Sequence, residues 1–218
     1  MSYWDQRRTV RRNRAVDVGR LASISAELLD EGGLRALTIR AVALRMSVAP
    51  ASLYSRITSV DDLFDLALDY VLGCDTKLQE ALEYSELHAL LITYYRHLVR
   101  HQWACQVIAM RAPRGPNYLR LSERMCVLLT EDGSCDPLGE AYVLSNFVIG
   151  SAATAPVAGG EQRTAVNREL APLYASLHEK QSGDSETIVA AGLRILLQGR
   201  RMASPDCATS EDSHYPVD

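Results

Sequence analysis

Small residues followed by hydrogen-bonding side chains occupy the segment SVAPASLYSR, residues 47–56. Small side chains let a backbone approach a large ligand closely, and hydroxyl and guanidinium groups bond phosphates and base edges. The planar fork of Arg56 is the most informative group, because it fits both acceptors of a guanine edge. The pattern predicts a surface that contacts double-stranded DNA through Pro50, Ala51, Ser52, Tyr54, Ser55 and Arg56.

The chain of 218 residues carries its charge unevenly. Residues 1–60 hold ten arginines, no lysine and five acidic residues, whereas the whole chain has a formal net charge of −4. A basic first quarter on an acidic body is typical of a small nucleic-acid-binding module joined to a domain with another task. A solubilising basic tail is the alternative. For the arginines of residues 1–14, contact with the DNA backbone or minor groove and simple solvation both stay open.

Hydrophobic periodicity predicts three helices before residue 60. The first spans about 15–31 and ends at a glycine pair that tolerates a positive φ. Thr38 caps a short second helix, and Pro50 begins a third that ends near Arg56. Two short helices joined by a tight turn have the layout of a helix-turn-helix, in which the second helix enters a major groove.

The remaining segments also favour helices. Aromatic residues make up only 6% of the chain, and leucine and alanine are plentiful, so the expected fold class is all-α. A fourth helix begins at the capping pair Ser59 and Asp62 and joins the N-terminal module to the body. Later helices are predicted at 86–101, 104–111, 117–131, 136–155, 162–180 and 184–201.

The run LTIRAVALRMSVAPASLYSRITSVDDLFDLALDYV resembles the DNA-binding region of the TetR family of bacterial transcriptional regulators. The resemblance covers about residues 16–72, and it implies a further DNA contact from Arg40 in the second helix. Two positions depart from the family pattern. Ser47 stands where a turn glycine is usual, which predicts strain at a positive φ, and Val60 stands where a phosphate-contacting lysine is common.

The body resembles the ligand domain of the branch that includes the tetracycline repressor, through the run HQWACQVIAMRAPRGPNYLRLSERMCVLLTEDG. The resemblance implies a homodimer formed by two helices per subunit, at about 137–155 and 185–200. The small residues of FVIGSAATA and an apolar stripe agree with close helix packing, although a purely internal role for these helices is the alternative. The stripe comprises Ile188, Ala191, Ile195 and Leu196.

For the tetracycline repressor, the resemblance implies a magnesium ion held partly by a histidine and a glutamate. Ile108 and Thr154 align with those positions here and supply neither imidazole nor carboxylate, so no metal or cofactor is expected. A mostly apolar inducer is expected instead. Its candidate contacts, each of which also fits a plain core role, are Tyr94, Tyr95, His101, Trp103, Met110, Tyr118, Met125 and Phe147.

Signals for an enzyme, a metal site or a membrane span are weak. The chain has no GxSxG, GxGxxG or P-loop motif and no CxxC pair. His97 and His101 lie one helical turn apart, but no third ligand is near them in the sequence. The polar N-terminus has no signal sequence, and the uncharged stretch 141–160 contains Ser, Asn and Pro, which favours a buried helix of a soluble protein.

The expected protein is therefore a cytoplasmic, homodimeric repressor that binds a palindromic operator and is released by a small molecule. One alternative is a ligand-independent or activating DNA-binding dimer whose body is a protein-interaction platform. A small helical enzyme with an incidental helix-turn-helix is a third reading, and it lacks a catalytic constellation. The expected order is a flexible basic arm, a helix-turn-helix domain, a helical ligand-binding and dimerisation domain, and a disordered tail, at 1–14, 15–60, 61–202 and 203–218.

Overall fold

The structure, a computed structural model, describes residues 3–5, 16–161, 164–181 and 183–203. These ranges contain a 3-10 turn at Tyr3–Asp5, eleven α-helices and no β-strand, so the all-α expectation is confirmed. The helices are α1 (Val18–Gly32), α2 (Ile39–Met46), α3 (Pro50–Leu53), α4 (Val60–Cys74), α5 (Thr76–Tyr84), α6 (Leu87–Arg100), α7 (Gln102–Met110), α8 (Pro116–Glu131), α9 (Pro137–Glu161), α10 (Pro172–His178) and α11 (Ser185–Ala203).

The N-terminal helices begin where side chains satisfy the first free backbone N–H groups. Thr38 accepts the N–H of Ala41 at 3.1 Å and starts α2, and Ser59 accepts the N–H of Asp61 at 3.1 Å and starts α4. Asp62 reaches back to the backbone N–H of Thr58 at 2.6 Å. The predicted capping signals are therefore confirmed, and together with the buried face of α1 they fix a helix-turn-helix.

The third helix is shorter than expected, since it ends at Leu53 and not near Arg56. Ser55 donates its hydroxyl to the carbonyl of Ser52 at 2.7 Å, and the N–H of Arg56 bonds the carbonyl of Leu53 at 2.8 Å. Such local side-chain and three-residue bonds compete with the four-residue ladder of an α-helix. Tyr54, Ser55 and Arg56 consequently lie in a turn after α3, held by the fully buried Leu53 and Ile57.

The body differs from the sequence expectation at two helices. α5 is an additional helix, begun by Asp75, which accepts the N–H of Leu78 at 3.2 Å. The helix expected over 162–180 is wrong, because the described residues of that range are helical only in α10. Asn167 accepts the N–H groups of Glu169 and Leu170, which holds a turn before Pro172 begins α10.

α9 is the longest helix, and it is buried on one face only. A 22-residue stretch of it is apolar enough to cross a membrane by length and composition, but it packs against α6, α7, α8 and α11. Ala141, Leu144, Val148 and Ala152 are buried there. Exposed apolar residues occupy the opposite face, so the expected buried helix is confirmed for one side alone; they are Leu138, Tyr142, Val143 and Val157.

Candidate functional site

The residues expected to contact DNA share one exposed surface, here called the recognition surface. It combines the outer face of α2 with α3 and the turn after it. Its members are exposed except for the half-buried Arg56; they are Arg40, Pro50, Ala51, Ser52, Tyr54, Ser55 and Arg56. Beneath them, Val42 and Leu53 are 0% exposed, so the surface rests on a rigid core.

The guanidinium of Arg56 is bonded within the protein. Its Nε donates to the backbone carbonyl of Val16 at 3.0 Å, which ties the turn after α3 to the residues that lead into α1. This bond uses one of the five N–H donors of the side chain. This bond could not be predicted from the sequence, because its acceptor is a backbone group forty positions away.

The turn between α2 and α3 has a left-handed residue. Ser47 adopts φ 57° and ψ 42°, and it is the one non-glycine residue with a positive φ in the described chain. The N–H of Val48 bonds the carbonyl of Ala43 at 3.0 Å, closing the Schellman arrangement that usually has glycine at this place. The expected positive φ at Ser47 is therefore confirmed, and a side chain at this φ is unfavourable.

Within the basic arm, residues 1–14, the structure describes residues 3–5. The backbone N–H of Tyr3 donates to Oδ2 of Asp65 in α4 at 2.8 Å, so Tyr3 lies against α4. The arginines of the arm fall outside the described residues; they are Arg7, Arg8, Arg11, Arg12 and Arg14. Val60, at the position where the family often has a lysine, is half-buried at the start of α4.

Two of the eight expected ligand contacts lie side by side in the body. Tyr94 of α6 is 1% exposed, and its hydroxyl has no hydrogen-bond partner within the described structure. Burial raises the pKa of Tyr94 well above its ordinary value, and the neighbouring Tyr118 of α8 and Cys105 add to the shift. Burial likewise raises the pKa of Tyr118. Both phenols are thus neutral at neutral pH, and the Tyr94 hydroxyl, which has no partner within 3.5 Å, lies beside that of Tyr118.

The other six expected contacts are dispersed. Tyr95 faces the start of α11, Met125 accepts a bond from Ser145 of α9, and Phe147 packs under Gly192 of α11. Met110 is 56% exposed on the outside of α7. His101 and Trp103 point toward the helix-turn-helix and bond Asp30 of α1.

Few of the eight expected ligand contacts line the cavities described here. Tyr118 lines a narrow crevice with Trp4, Asp69 and Gly115, and His101 lines a cleft of about 320 Å³ between α1, α4 and α6. A cavity of about 390 Å³ lies between α6, α8 and α11 and has none of the expected ligand contacts in its wall. Tyr94 is 1% exposed, so a ligand beside it requires the surrounding helices to move apart.

The residues at the magnesium positions do not fit that ion. Ile108 is an apolar side chain, and the hydroxyl of Thr154 donates to the carbonyl of Gly150 at 3.1 Å. Among the described residues, no group of three or more His, Cys, Asp or Glu side chains has metal-binding geometry. His97 and His101 instead each pair with a carboxylate.

A buried carboxylate joins the candidate ligand region to α4. Asp69, which is 5% exposed, accepts the backbone N–H groups of Asn117 at 2.8 Å and Tyr118 at 3.2 Å. Burial raises the pKa of Asp69, although these bonds act in the opposite direction. The first turn of α8, which carries Tyr118, is therefore bonded directly to the helix that leads to the DNA-binding module.

The chain is similar to known regulators. The family model "Tetracyclin repressor-like, C-terminal domain" matches residues 85–202. An HTH-type transcriptional regulator of Saccharopolyspora erythraea is 30% identical over 195 residues, which are 83% of this chain and 82% of that protein. The HTH-type transcriptional repressor DrrR1 of Streptomyces coeruleorubidus is 28% identical over 162 residues, which are 68% of this chain and 58% of that protein.

Solved structures have the same fold. A possible TetR family regulator from Streptomyces coelicolor A3(2) has a TM-score of 0.74 and 25% identity, with 86% of this chain and 100% of that chain covered. ActR of Streptomyces coelicolor, in complex with actinorhodin, has a TM-score of 0.69 and 23% identity, with 88% and 99% covered. The chain therefore belongs to the TetR family of transcriptional regulators and is not an enzyme.

Proposed function

We propose that this regulator is a cytoplasmic, homodimeric repressor that binds a palindromic operator and releases it when a small, mostly apolar molecule binds the body. The observation that carries the proposal is the recognition surface, an exposed set of small and hydrogen-bonding side chains on a buried core. Each module, at about residues 15–60, would place α3 and the following turn in a major groove.

The roles within the recognition surface follow from side-chain chemistry. Pro50 and Ala51 allow close approach to the duplex, and Ser52, Tyr54 and Ser55 supply hydroxyls for phosphates and base edges. Arg40, on α2, would contact the phosphate backbone of the DNA. Arg56 has a double role, because its bond to Val16 orients a guanidinium that also faces the DNA.

Dimerisation is supported by apolar surface that one subunit leaves exposed. Ile188 is 48% and Ile195 69% exposed on α11, while Tyr142 and Val143 are 62% and 57% exposed on the neighbouring α9. Contiguous apolar faces of this kind mark interaction sites in soluble proteins. Two copies joined through α9 and α11, at about residues 137–155 and 185–200, would present two recognition surfaces related by a two-fold axis. Two recognition surfaces arranged in this way would bind operator half-sites whose centres are about 34–36 Å apart.

The ligand region is proposed around Tyr94 and Tyr118, with Met125 as an adaptable apolar wall. The unpaired hydroxyl of Tyr94 favours a molecule with one carbonyl or hydroxyl group on an apolar frame. Proteins of this fold are solved with small molecules bound, as ActR is with actinorhodin. The other expected contacts, Tyr95, His101, Trp103, Met110 and Phe147, lie outside this region and have no role in the proposed ligand site.

Release would follow a shift between two conformations. A ligand that separates α6 and α8 moves Tyr118, whose backbone is bonded to Asp69 of α4. α4 packs against α1, so its movement changes the distance between the two modules of the dimer. A preference of a few kcal/mol for the released conformation is enough to empty the operator.

The test begins by selecting operator DNA from a random duplex pool and measuring its binding by fluorescence anisotropy over a salt series. We expect the selected site to bind at least about a thousandfold more tightly than scrambled DNA. Tyr54→Ala and Ser52→Ala should each weaken this preference by about tenfold or more. Tyr84→Ala is the matched control, because Tyr84 is an 82% exposed tyrosine on α5, in the body. Equal binding of both DNAs would disprove the proposal.

A second experiment tests the ligand. Actinorhodin and minocycline, bound in solved structures of this fold, are the first probes for release of the operator complex. Release that is weakened by Tyr94→Phe supports the proposed region. The alternative, a ligand-independent dimer whose body is an interaction platform, is favoured by the exposed Leu173 and Leu177 of α10. It predicts that Leu173→Ser abolishes regulation while operator binding stays unchanged.

A further inference from the structure

α7 is bonded at one end to the DNA-binding module and at the other to α4, the helix that leads to the module. At the start of α7, His101 and Trp103 bond Asp30 in the last turn of α1. At its end, Arg111 pairs with Asp61 and Asp65 in α4. These bonds are called the α7 polar contacts below. They join helices that are far apart in the sequence and that belong to different parts of the fold.

The contacts at the start of α7 are short and directional. Nε1 of Trp103 donates to Oδ1 of Asp30 at 2.6 Å, and Nδ1 of His101 lies 2.8 Å from the same oxygen. The Trp103 side chain is 3% exposed, so its N–H needs this partner. A bond from a buried ring to a carboxylate fixes both the distance and the direction of the last turn of α1.

The contacts at the end of α7 are partly shielded from solvent. Nε of Arg111 lies 3.1 Å from Oδ1 of Asp65, and Nη1 of Arg111 lies 3.4 Å from Oδ2 of Asp61. The side chain of Arg111 is 18% exposed and that of Asp65 is 3% exposed. Salt screens such a pair much less than one on the open surface. Asp65 also accepts the N–H of Tyr3, so its carboxylate is fixed from two sides.

The other link between module and body is apolar. α1 packs against α4 through buried aliphatic residues such as Leu21, Leu29 and Leu63. Apolar contacts have no preferred direction, so this interface alone allows the two helices to slide over each other. On its far side, α7 is bonded to α9, since Nε2 of Gln102 donates to the carbonyl of Ala152 at 3.2 Å. α7 therefore connects the proposed dimer helix with the module.

We infer that Asp30, Trp103 and Arg111 are positioning residues that hold each helix-turn-helix at a fixed angle to the dimer helices and so set the half-site spacing that the regulator accepts. The inference rests on the proposed operator-binding dimer. None of the three residues belongs to the recognition surface. Their loss therefore relaxes the spacing that is accepted without changing the base sequence that each half-site requires.

The test uses a set of operators in which the two selected half-sites are moved together or apart by one or two base pairs. Each added pair shifts one half-site by about 3.4 Å and rotates it around the duplex. For the wild type we expect affinity to fall at least about tenfold when the spacing changes by one pair. For Trp103→Phe, Arg111→Gln and the double variant we expect that fall to shrink to about threefold or less.

Controls separate positioning from loss of stability. Trp103→Phe removes the N–H and keeps an aromatic ring, and circular dichroism checks that each variant is folded. Glu179→Gln is the matched control, because it removes an ion pair with Arg168 that lies within the body and outside the proposed dimer helices. This control should keep the wild-type spacing profile. A variant that is merely unstable would weaken binding at every spacing by the same factor, and that result overturns the inference.

The outcomes distinguish the two proposals. If the wild type has a sharp spacing optimum and Trp103→Phe and Arg111→Gln retain it, the positioning role is wrong while the operator-binding function stands. If the wild type binds all spacings and scrambled DNA alike, the proposed function fails and the positioning role fails with it. A flattened profile in the α7 variants, with half-site sequence preference intact, supports both.

Discussion

Acidification is expected to destabilise the protein through one buried histidine. His97 of α6 is 0% exposed, and its Nδ1 lies 2.8 Å from Oδ2 of Asp75. Its Nε2 is buried with no hydrogen-bond partner among the described residues. A neutral imidazole fits this arrangement, because Nδ1 donates to the carboxylate and Nε2 carries no proton. Protonation would bury an N–H group that has no acceptor.

The size of the effect follows from the pKa. Burial is the main cause that lowers the pKa of His97 from 6.5 to about 4, although Asp75 opposes it. Between these two values the unfolded chain binds more protons than the folded chain, so the free energy of unfolding falls as the pH falls. This difference between the two pKa values corresponds to a loss of about 3 kcal/mol in the free energy of unfolding once His97 is protonated in both states. About 2 kcal/mol of it is lost between pH 7 and pH 5.

Asp75 does not reverse this trend. Burial alone would raise the pKa of Asp75, but hydrogen bonds from His97 and the N–H of Leu78 lower it overall. A carboxyl group with a lowered pKa loses its stabilising effect only below its ordinary value near 4. The window between pH 5 and pH 7 therefore reports His97 and not its partner.

The assay is urea unfolding at pH 7, 6 and 5, followed by circular dichroism at a fixed protein concentration. His97→Gln removes the titrating group and should reduce the loss between pH 7 and pH 5 by about 2 kcal/mol. Ile92→Val, a buried substitution on the same helix that costs about 1 kcal/mol, should keep the wild-type pH dependence. Parallel profiles for the wild type and His97→Gln would refute the reasoning.

Three further substitutions test separate features of the structure. Tyr94→Phe removes a buried hydroxyl that has no partner, so the free energy of unfolding should rise by about 1 kcal/mol in urea unfolding; a decrease would show that the hydroxyl is satisfied. Ser47→Gly relieves a left-handed residue, and calorimetry should show a Tm higher by about 2 °C, whereas Ser47→Val should lower it. Gly192→Ala places a Cβ against the ring of Phe147 and should cost about 1–3 kcal/mol, while Ala at the open Gly150 should not.

The DNA-binding half of the molecule was largely predictable because its signals are local. Thr38, Pro50 and the pair Ser59 and Asp62 each act within four residues of themselves, and each begins a helix where the sequence places it. The positive φ at Ser47 was also predicted, although from the resemblance to the family, which usually has a turn glycine there. The end of α3 was missed, because the bond between Ser55 and Ser52 competes with the helix in a way that periodicity does not record.

The body was less predictable because its decisive contacts are distant in sequence. Trp103 was a reasonable candidate for an apolar pocket, yet its N–H bonds Asp30, which lies 73 positions earlier. Met110 looked like a pocket residue and lies exposed on α7. Periodicity identifies which face of a helix is apolar, but it does not say which helix covers that face. Only the packing shows that Tyr94 and Tyr118 are neighbours.

Two of the contacts described above depend on backbone groups, which has a consequence for mutational tolerance. Arg56 bonds the carbonyl at position 16, and Asp65 bonds the N–H at position 3. Every amino acid provides the carbonyl, and every one except proline provides the N–H. The two bonds therefore place no demand on the side chains at these positions, which are constrained instead by apolar packing, since Val16 is 8% exposed and Tyr3 packs against the core. A substitution library at position 3 should accept other large apolar residues and reject proline, because the bond to Asp65 needs only the N–H while the side chain packs against the core.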